Sequence, residues 1–308
     1  MSELRAPFPW FGGKSGACDV VWQAFGEVQN YVEPFAGSAA MLLGAPDGKR
    51  IETINDADGF VANFWRAIHA DQEAVAHHAD WPCNENDLFS RHSWLVRHAQ
   101  GLTDKLHADP DYFDAKIAGW WCWGACNWIG SGWCGGEGPW VHDGEKLVDR
   151  RQLPHLGNAG RGQFIYTWFA ALHDRLRDVR VTCGDWSRVV KDSVTVRHGL
   201  TGVFLDPPYF KGMMDYAAGG VGTNLATEVQ AWCAANGDNP KLRIVICGHA
   251  REHDALLNKG WTERKWAARK GYATTDEAVA NSASETIWCS PHCVSGSKTA
   301  DLFGELCS

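Results

Sequence analysis

The stretch Asp206-Pro207-Pro208-Tyr209 joins a carboxylate, two residues without an N–H, and an aromatic ring. The preceding Gly202-Val203-Phe204-Leu205 reads as a short buried strand. The tetrapeptide therefore sits where a strand ends, and open α/β sheets bind ligands outside the carboxyl ends of their strands. Pro207 keeps Asp206 extended. Neither proline offers a donor that would compete for the carboxylate or the nearby carbonyls. The loop thus presents acceptors, the Asp206 side chain and the Pro207 carbonyl. Two acceptors suit the two hydrogens of an exocyclic amino group, and Tyr209 adds a face on which a planar base can stack. The competing reading is an ordinary Asp-Pro-Pro turn.

Three further places could contribute chemistry. Trp10-Phe11-Gly12-Gly13-Lys14 pairs an aromatic with a flexible turn and one cation. Such a turn lets backbone approach a ligand closely, and Lys14 could meet a carboxylate, a phosphate or a base edge; read alone it is a surface turn. Residues 31–33 read as a strand and residues 38–43 as the start of a helix, with Pro34-Phe35-Ala36-Gly37 between them. A tight strand-to-helix turn exposes N–H groups that suit an anion such as a carboxylate. Gly37 stands alone, without a G-x-G-x-x-G pattern, so dinucleotide binding is not favoured. Residues 51–54 form a second strand, followed by Asn55-Asp56. An acid about 20 residues after the glycine turn matches a ribose-hydroxyl acceptor. Asp56 could instead cap the helix expected over residues 59–68, a role Asp58 can also fill. Phe60, Val61, Phe64, Trp65 and Ile68 give that helix its apolar face. Another strand, residues 179–182, leads into Cys183-Gly184-Asp185-Trp186, by itself a Gly-Asp turn.

The order of these motifs resembles that of the Dam-type DNA adenine-N6 methyltransferases, in which the cofactor motif comes first and the DPPY motif follows the recognition region. The resemblance runs from about residue 7 to about residue 290. It implies a Rossmann-like, seven-stranded α/β methyltransferase sheet with one antiparallel edge strand and a mostly helical insertion. It also implies S-adenosylmethionine as cofactor, held by Trp10, Lys14, Pro34, Phe35, Ala36, Gly37, Ser38, Asp56, Asp185, Trp186 and Asp206, with no metal. Asp185 and Trp186 would accept from the cofactor's adenine amino group and cover its ring. The substrate would be an adenine flipped out of double-stranded DNA. Asp206, Pro207, Pro208 and Tyr209 would form the catalytic loop. Asp and not Ser at position 206 tilts the reading from cytosine N4 towards adenine N6. A catalytically inactive DNA-binding protein on the same fold is the alternative from another class.

The elements that must position these residues fall into two blocks, residues 1–70 and 163–295, expected to form one catalytic domain. Residues 163–176 read as a helix, 243–247 as a strand, and 261–266 and 285–289 as a late hairpin. Between the blocks, residues 71–162 lose the strand–helix alternation and are expected to form an inserted recognition subdomain. This segment holds six tryptophans within 21 residues, Trp120 to Trp140. Buried aromatics usually pack, so a compact core is the reading for most of them; DNA contact by some is the sharper one. A zinc site from Cys122, Cys126 and Cys134 is a third option, without the usual paired C-x-x-C grip. Phe210 to Thr223, with four glycines, reads as a mobile loop that could close over a substrate. Residues 296–308 read as a loose tail.

Composition sets outer bounds. The chain has 308 residues, 45% hydrophobic and 21% charged, which is ordinary for a globular protein. No apolar run approaches the roughly 18 residues a membrane span needs. The first residues lack the apolar core of a signal peptide, so the expected location is cytoplasmic and the eleven cysteines are expected to be free thiols. A monomer or weak dimer is expected. The net charge of −8 argues against a large phosphate footprint. Residues 241–270 counter it with eight basic residues against three acids, either a DNA-steering face or a solvated surface.

Overall fold

The computed structural model describes residues 4–10, 14–128, 133–134, 140–142, 147–149, 162–208, 222–265 and 285–295. In chain order its elements are α1 (Cys18–Phe25), β1 (Asn30–Glu33), the one-turn helix α2 (Ala40–Leu43), β2 (Ile51–Asp56), α3 (Gly59–Ala79), α4 (Glu85–Ala108) and α5 (Ala115–Asn127). A small hairpin follows, β3 (Trp140–His142) and β4 (Leu147–Asp149), then α6 (Gln163–Leu176), β5 (Val179–Cys183) and β6 (Thr201–Leu205). The chain continues with α7 (Gly222–Asn236), β7 (Leu242–His249), β8 (Thr262–Lys265) and β9 (Glu285–Cys289).

Seven strands form one sheet in the order β5-β2-β1-β6-β7-β9-β8. The first five pair in parallel, and β9 runs antiparallel to both β7 and β8. The sheet is the seven-stranded α/β sheet expected from the motifs, with one correction. The antiparallel strand is β9, one place in from the edge, because the second arm of the late hairpin inserts between β7 and β8. The edge strand β8 runs with the rest. From β1 the chain first winds outward to β2 and β5, then returns to β6 on the other side. The switch point therefore lies between β1 and β6, where open α/β sheets carry their ligands.

Period-two alternation divides the two faces. Val203, Leu205, Ile244, Ile246 and Trp288 join one buried cluster, with Val229 and Cys233 of α7. Phe204, Val245, Cys247, Ile287 and Cys289 join the other, which holds the larger set of helices. That larger cluster is continuous through α3 into α5, so the Trp-rich segment packs on the same core as the sheet. Trp121 of α5 meets Phe8 edge-on at 4.7 Å between ring centroids and lies parallel to Phe60 at 6.5 Å. The close approach needs Gly119, where a Cβ would stand 2.6 Å from the Val75 carbonyl oxygen. The buried Asn63 of α3 fixes the start of α5 with two bonds to the Asp114 backbone, at 2.8 and 2.9 Å. The helix predicted over residues 59–68 runs on to Ala79, and its N-cap is Asp58, which accepts from the Phe60 N–H.

One buried side chain fastens the strand ends that face the switch point. Asn55, 3% exposed, donates through Nδ2 to the carbonyls of Pro34 and Gly184, at 3.0 and 2.9 Å. Its Oδ1 accepts from the Thr182 hydroxyl at 2.9 Å. The amide thus ties the exits of β1 and β5 to that of β2. Replacing Asn55 by Ala leaves two carbonyls short of a partner, each a cost of about 1–3 kcal/mol when buried, while the Thr182 hydroxyl keeps the Ile54 carbonyl at 3.2 Å. The expected outcome for Asn55→Ala is a loss of at least about 2 kcal/mol, read as a lower urea midpoint at unchanged slope. A midpoint equal to that of the unaltered protein would remove Asn55 from this role.

Candidate functional site

Leaving β1, the chain passes Pro34 and Phe35 and makes its turn at Ala36 to Ala39. Gly37 has φ 46° and Ala39 φ 52°, both left-handed. Ala39 holds that conformation without the freedom of a glycine, so the turn carries backbone strain. At Gly37 a side chain has no room, since a Cβ would stand 2.2 Å from Nε1 of Trp10. Trp10 is steadied over the turn by Phe8 and Trp121, with ring centroids at 5.9 and 6.3 Å. Trp65 of α3 donates its indole N–H to the Gly37 carbonyl at 2.9 Å.

The sequence suggested that this turn offers free N–H groups to an anion. Three of them are engaged within the protein. Ala36 donates to the Asn55 carbonyl, Gly37 to Oδ2 of Asp56, and Ala39 to the Ala36 carbonyl. The turn is folded back onto the end of β2, and α2, a single turn, adds no anion site of its own. What the turn offers instead is the Asp56 carboxylate. Its Oδ2 takes the Gly37 N–H at 2.9 Å and its Oδ1 takes the Asp58 N–H at 2.9 Å. With the Ala57 N–H also directed at it, the carboxylate still keeps acceptor capacity for a hydroxyl donor. Burial raises the Asp56 carboxyl to about 7, the Asp58 charge adds to this, and the N–H bonds from Asp58 and Gly37 work against it.

On the other side of the switch point, Asp206 follows β6 directly. Lys14, only 4% exposed, reaches its Oδ1 at 3.4 Å. A buried ammonium is costly unless paired, so the two charges hold each other at the cleft. Lys14 was expected among the cofactor residues; the fold brings it to the DPPY loop. Pro207 is buried and Pro208 half-buried. Tyr209, Phe11 to Gly13 and the glycine-rich loop from Phe210 lie outside the described residues, which resume at Gly222.

Two residues in the cleft were not singled out from the sequence. Glu33, 2% exposed at the end of β1, accepts from the Tyr31 hydroxyl at 2.9 Å. Burial pushes its carboxyl up to about 8 against the lowering bonds from Tyr31 and the Leu42 backbone, and the charges of Asp206 and Asp56 push the same way as burial. Asn55 is the other. In both cases the available signal was a polar residue at the end of an otherwise apolar strand.

Asp185 and Trp186 diverge. Asp185 is exposed and caps the short turn after β5, accepting from the Ser187 N–H at 2.9 Å. Trp186 is buried and stacks on Phe35 with centroids 6.0 Å apart, so Phe35 presents the half-buried ring at this point. The basic run from Lys241 does not form one face. Arg243, near the start of β7, donates to the carbonyls of Phe25 and Glu27. Arg264 donates to the Val294 carbonyl. The Lys265 side chain, Arg269 and Lys270 lie outside the described residues.

Cys122 and Cys126 direct their thiols at the Pro7 carbonyl, at 3.9 and 3.4 Å, and burial holds the Cys134 thiol far above its usual range. Among the described residues no three His, Cys, Asp or Glu side chains converge so as to hold a metal ion. Nor is any described helix long and apolar enough to cross a membrane.

Residues 10–107 match the family model of the D12 class N6 adenine-specific DNA methyltransferases. The match takes in Trp10, Lys14, the Pro34 to Ser38 turn and Asp56, and ends before Asp185 and Asp206. No curated protein matches the chain. Over these residues, about a third of the chain, the resemblance read from the motif order is borne out.

The Glu33 carboxyl gives a pH test of this geometry. Its ordinary value is 4.5 and its folded value about 8. Between them the folded protein binds the extra proton, so this group's stabilisation, complete below pH 4.5, is lost as pH rises through about 8. Glu33→Gln should therefore flatten the decline of Tm between pH 5 and pH 8, leaving the smaller share that Asp56 contributes. An unchanged slope in the variant would show that Glu33 is not buried beside the other carboxylates.

Proposed function

We propose, from the D12 class match and the convergence at the switch point, that the protein is a DNA adenine methyltransferase, which transfers the methyl group of S-adenosylmethionine to N6 of an adenine flipped out of duplex DNA. The observation that carries the reading is the meeting of the Gly37 turn, Asp56 and Asp206 around the carboxyl ends of β1, β2 and β6.

The residues present suit the cofactor. Asp56 has acceptor capacity for ribose hydroxyls at the end of β2. The Gly37 turn is floored by the Trp10 indole where a Cβ would otherwise stand, and Phe35 offers a half-buried aromatic ring nearby. Trp10, the turn from Pro34 to Ser38, Asp56 and Asp185 would hold it, with Trp186 acting from behind Phe35. When bound, S-adenosylmethionine supplies an electrophilic methyl group.

The rest is done by the chain itself. Asp206 and the Pro207 carbonyl accept the two amino hydrogens of the target base and so orient the nitrogen lone pair. As N6 gains the methyl group it gives up one hydrogen as a proton, which the Asp206 carboxylate can accept. Lys14 fixes the direction in which that carboxylate faces. Tyr209, three residues beyond Asp206, is assigned the stacking role. Positioning of this kind contributes much of a rate enhancement, since a small misplacement of the reacting group costs about a hundredfold. The division into a catalytic domain, residues 1–70 and 163–295, and an inserted recognition segment, residues 71–162, belongs to the same proposal.

Asp206→Asn tests it without emptying the space beside Lys14. The variant keeps one acceptor and places amide hydrogens where the base amino group donates. Methyl incorporation into DNA should fall by at least about a hundredfold, while S-adenosylmethionine affinity and DNA mobility shift change little. Incorporation near that of the unaltered enzyme would move the active site elsewhere. Unaltered protein that binds DNA yet methylates none would favour the inactive binder.

A further inference from the structure

Away from the cleft, one pair of cysteines has unusual surroundings. Cys289 ends β9, opposite Val245 of β7, and is fully buried. Cys293 follows four residues later and is half-buried, past a turn in which its N–H meets the Ser290 carbonyl at 3.0 Å. The two side chains are hydrogen-bonded, the Cys289 thiol donating to the Cys293 sulfur. The Ser290 hydroxyl lies 3.6 Å from the same sulfur. Its oxygen takes the Ile244 N–H at 2.9 Å, which leaves its own hydrogen for Cys293. Arg264 of β8, held at the Val294 carbonyl, adds a positive charge nearby. The bonds from Cys289 and Ser290 and the Arg264 charge together hold the Cys293 thiol below its usual range, against the effect of burial. In its protonated form Cys293 has the Ile244 carbonyl as acceptor at 3.5 Å.

Donors and a cation around a partly accessible sulfur favour the thiolate, and the thiolate is the nucleophile. Cys122 and Cys126 of α5 have the same spacing and different surroundings, since both direct their thiols at the Pro7 carbonyl, an acceptor that suits the protonated form. We propose that Cys293 and Cys289 form a redox-active pair, in which Cys293 reduces a peroxide and Cys289 then closes a disulfide with it. The Cys293 thiolate attacks one peroxide oxygen and the O–O bond breaks. A sulfenic acid forms, and the departing hydroxide takes up the proton lost by the thiol to become water. The Cys289 sulfur, already in contact, attacks the sulfenic sulfur. The S–O bond breaks, and hydroxide leaves with the Cys289 proton as a second water. Two thiols have then given two electrons to one peroxide. The pair lies at the end of β9 and in the turn after it, beside the middle of β7, so the proposal does not rest on the methyl-transfer reading.

Peptide mapping tests the pair directly. The full-length protein, reduced and freed of reductant, is exposed to hydrogen peroxide, blocked with N-ethylmaleimide in denaturant and digested with trypsin. Residues 271–298 form one tryptic peptide that holds Cys289 and Cys293 and no other cysteine. This peptide should lose two hydrogens and both maleimide labels, and a dithiol reductant should restore them. Residues 117–146, a peptide with Cys122, Cys126 and Cys134, are the internal comparison and should keep their labels. Cys289→Ser should leave Cys293 as a sulfenic acid that a cyclic diketone traps, and Cys293→Ser should leave Cys289 labelled by maleimide. The measurement on the unaltered chain stands even where a variant folds poorly. The proposal is overturned if the 271–298 peptide keeps both labels at a peroxide dose that oxidises free cysteine, or if both peptides lose their labels at the same rate. It is equally overturned if Cys289 is found joined to Cys247, its neighbour on β7, or if the diketone fails to mark Cys293 in a folded Cys289→Ser variant.

Discussion

The site depends first on a buried amide. Parallel strands end in loops whose carbonyls point in different directions, and nothing in the ladder itself fixes those loops to one another. Asn55 does so with three hydrogen bonds, two given to carbonyls and one taken from Thr182. Aspartate of the same size would set a charge against two carbonyls, and leucine would leave both carbonyls short. Asp56 follows at once in the chain, so the residue that fastens the strand exits also fixes where the carboxylate stands. From there the constraint passes to Gly37 through the Asp56–Gly37 hydrogen bond.

A second constraint is steric. Gly37 and Trp10 occupy one space, and Trp10 is braced by Phe8 and by Trp121 of α5. The Trp-rich segment therefore does more than stand beside the sheet, because one of its rings supports the wall of the proposed cofactor cleft. A change in the packing of α5 on α3 is transmitted to the turn through these aromatic contacts. Stiff rings in edge-on and parallel contact suit that role better than flexible side chains.

Much of the fold could be read from the sequence because the strands obey simple patterns. Residues 202–205 and 243–247 were legible as apolar runs, and the helix over residues 163–176 has the bounds expected. Other features were hidden for physical reasons. The place of β9 between β7 and β8 is decided by long-range pairing that no local pattern records. The engagement of the Ala36 and Gly37 N–H groups follows from partners 19 residues away. At the site, Asp56 and Asp206 announced themselves by residue type at a strand end. Glu33 and Asn55 have the same kind of signature, but a charged or amide residue ending a strand reads as exposed until its burial is known. Trp186 was legible as an aromatic beside the site, although its burial behind Phe35 was not.

The basic run shows the same limit in electrostatic form. Along the sequence, residues 241–270 look like one positive surface. Strand β7 divides it, since its eight residues span about 25 Å at roughly 3.3 Å each. Lys241 and Arg243 stand at the amino end of the sheet, whereas the switch-point cleft opens at the carboxyl end. Arg243 is also drawn to the carbonyls that close α1. In the proposed complex, the charges that would bear on a DNA strand at the cleft are those past the strand exits, such as exposed Arg251 after β7 and exposed Arg188 after β5. On an acidic protein, which end of a strand a cation occupies matters more than how many cations its segment holds, because screening limits their reach to about 8–10 Å.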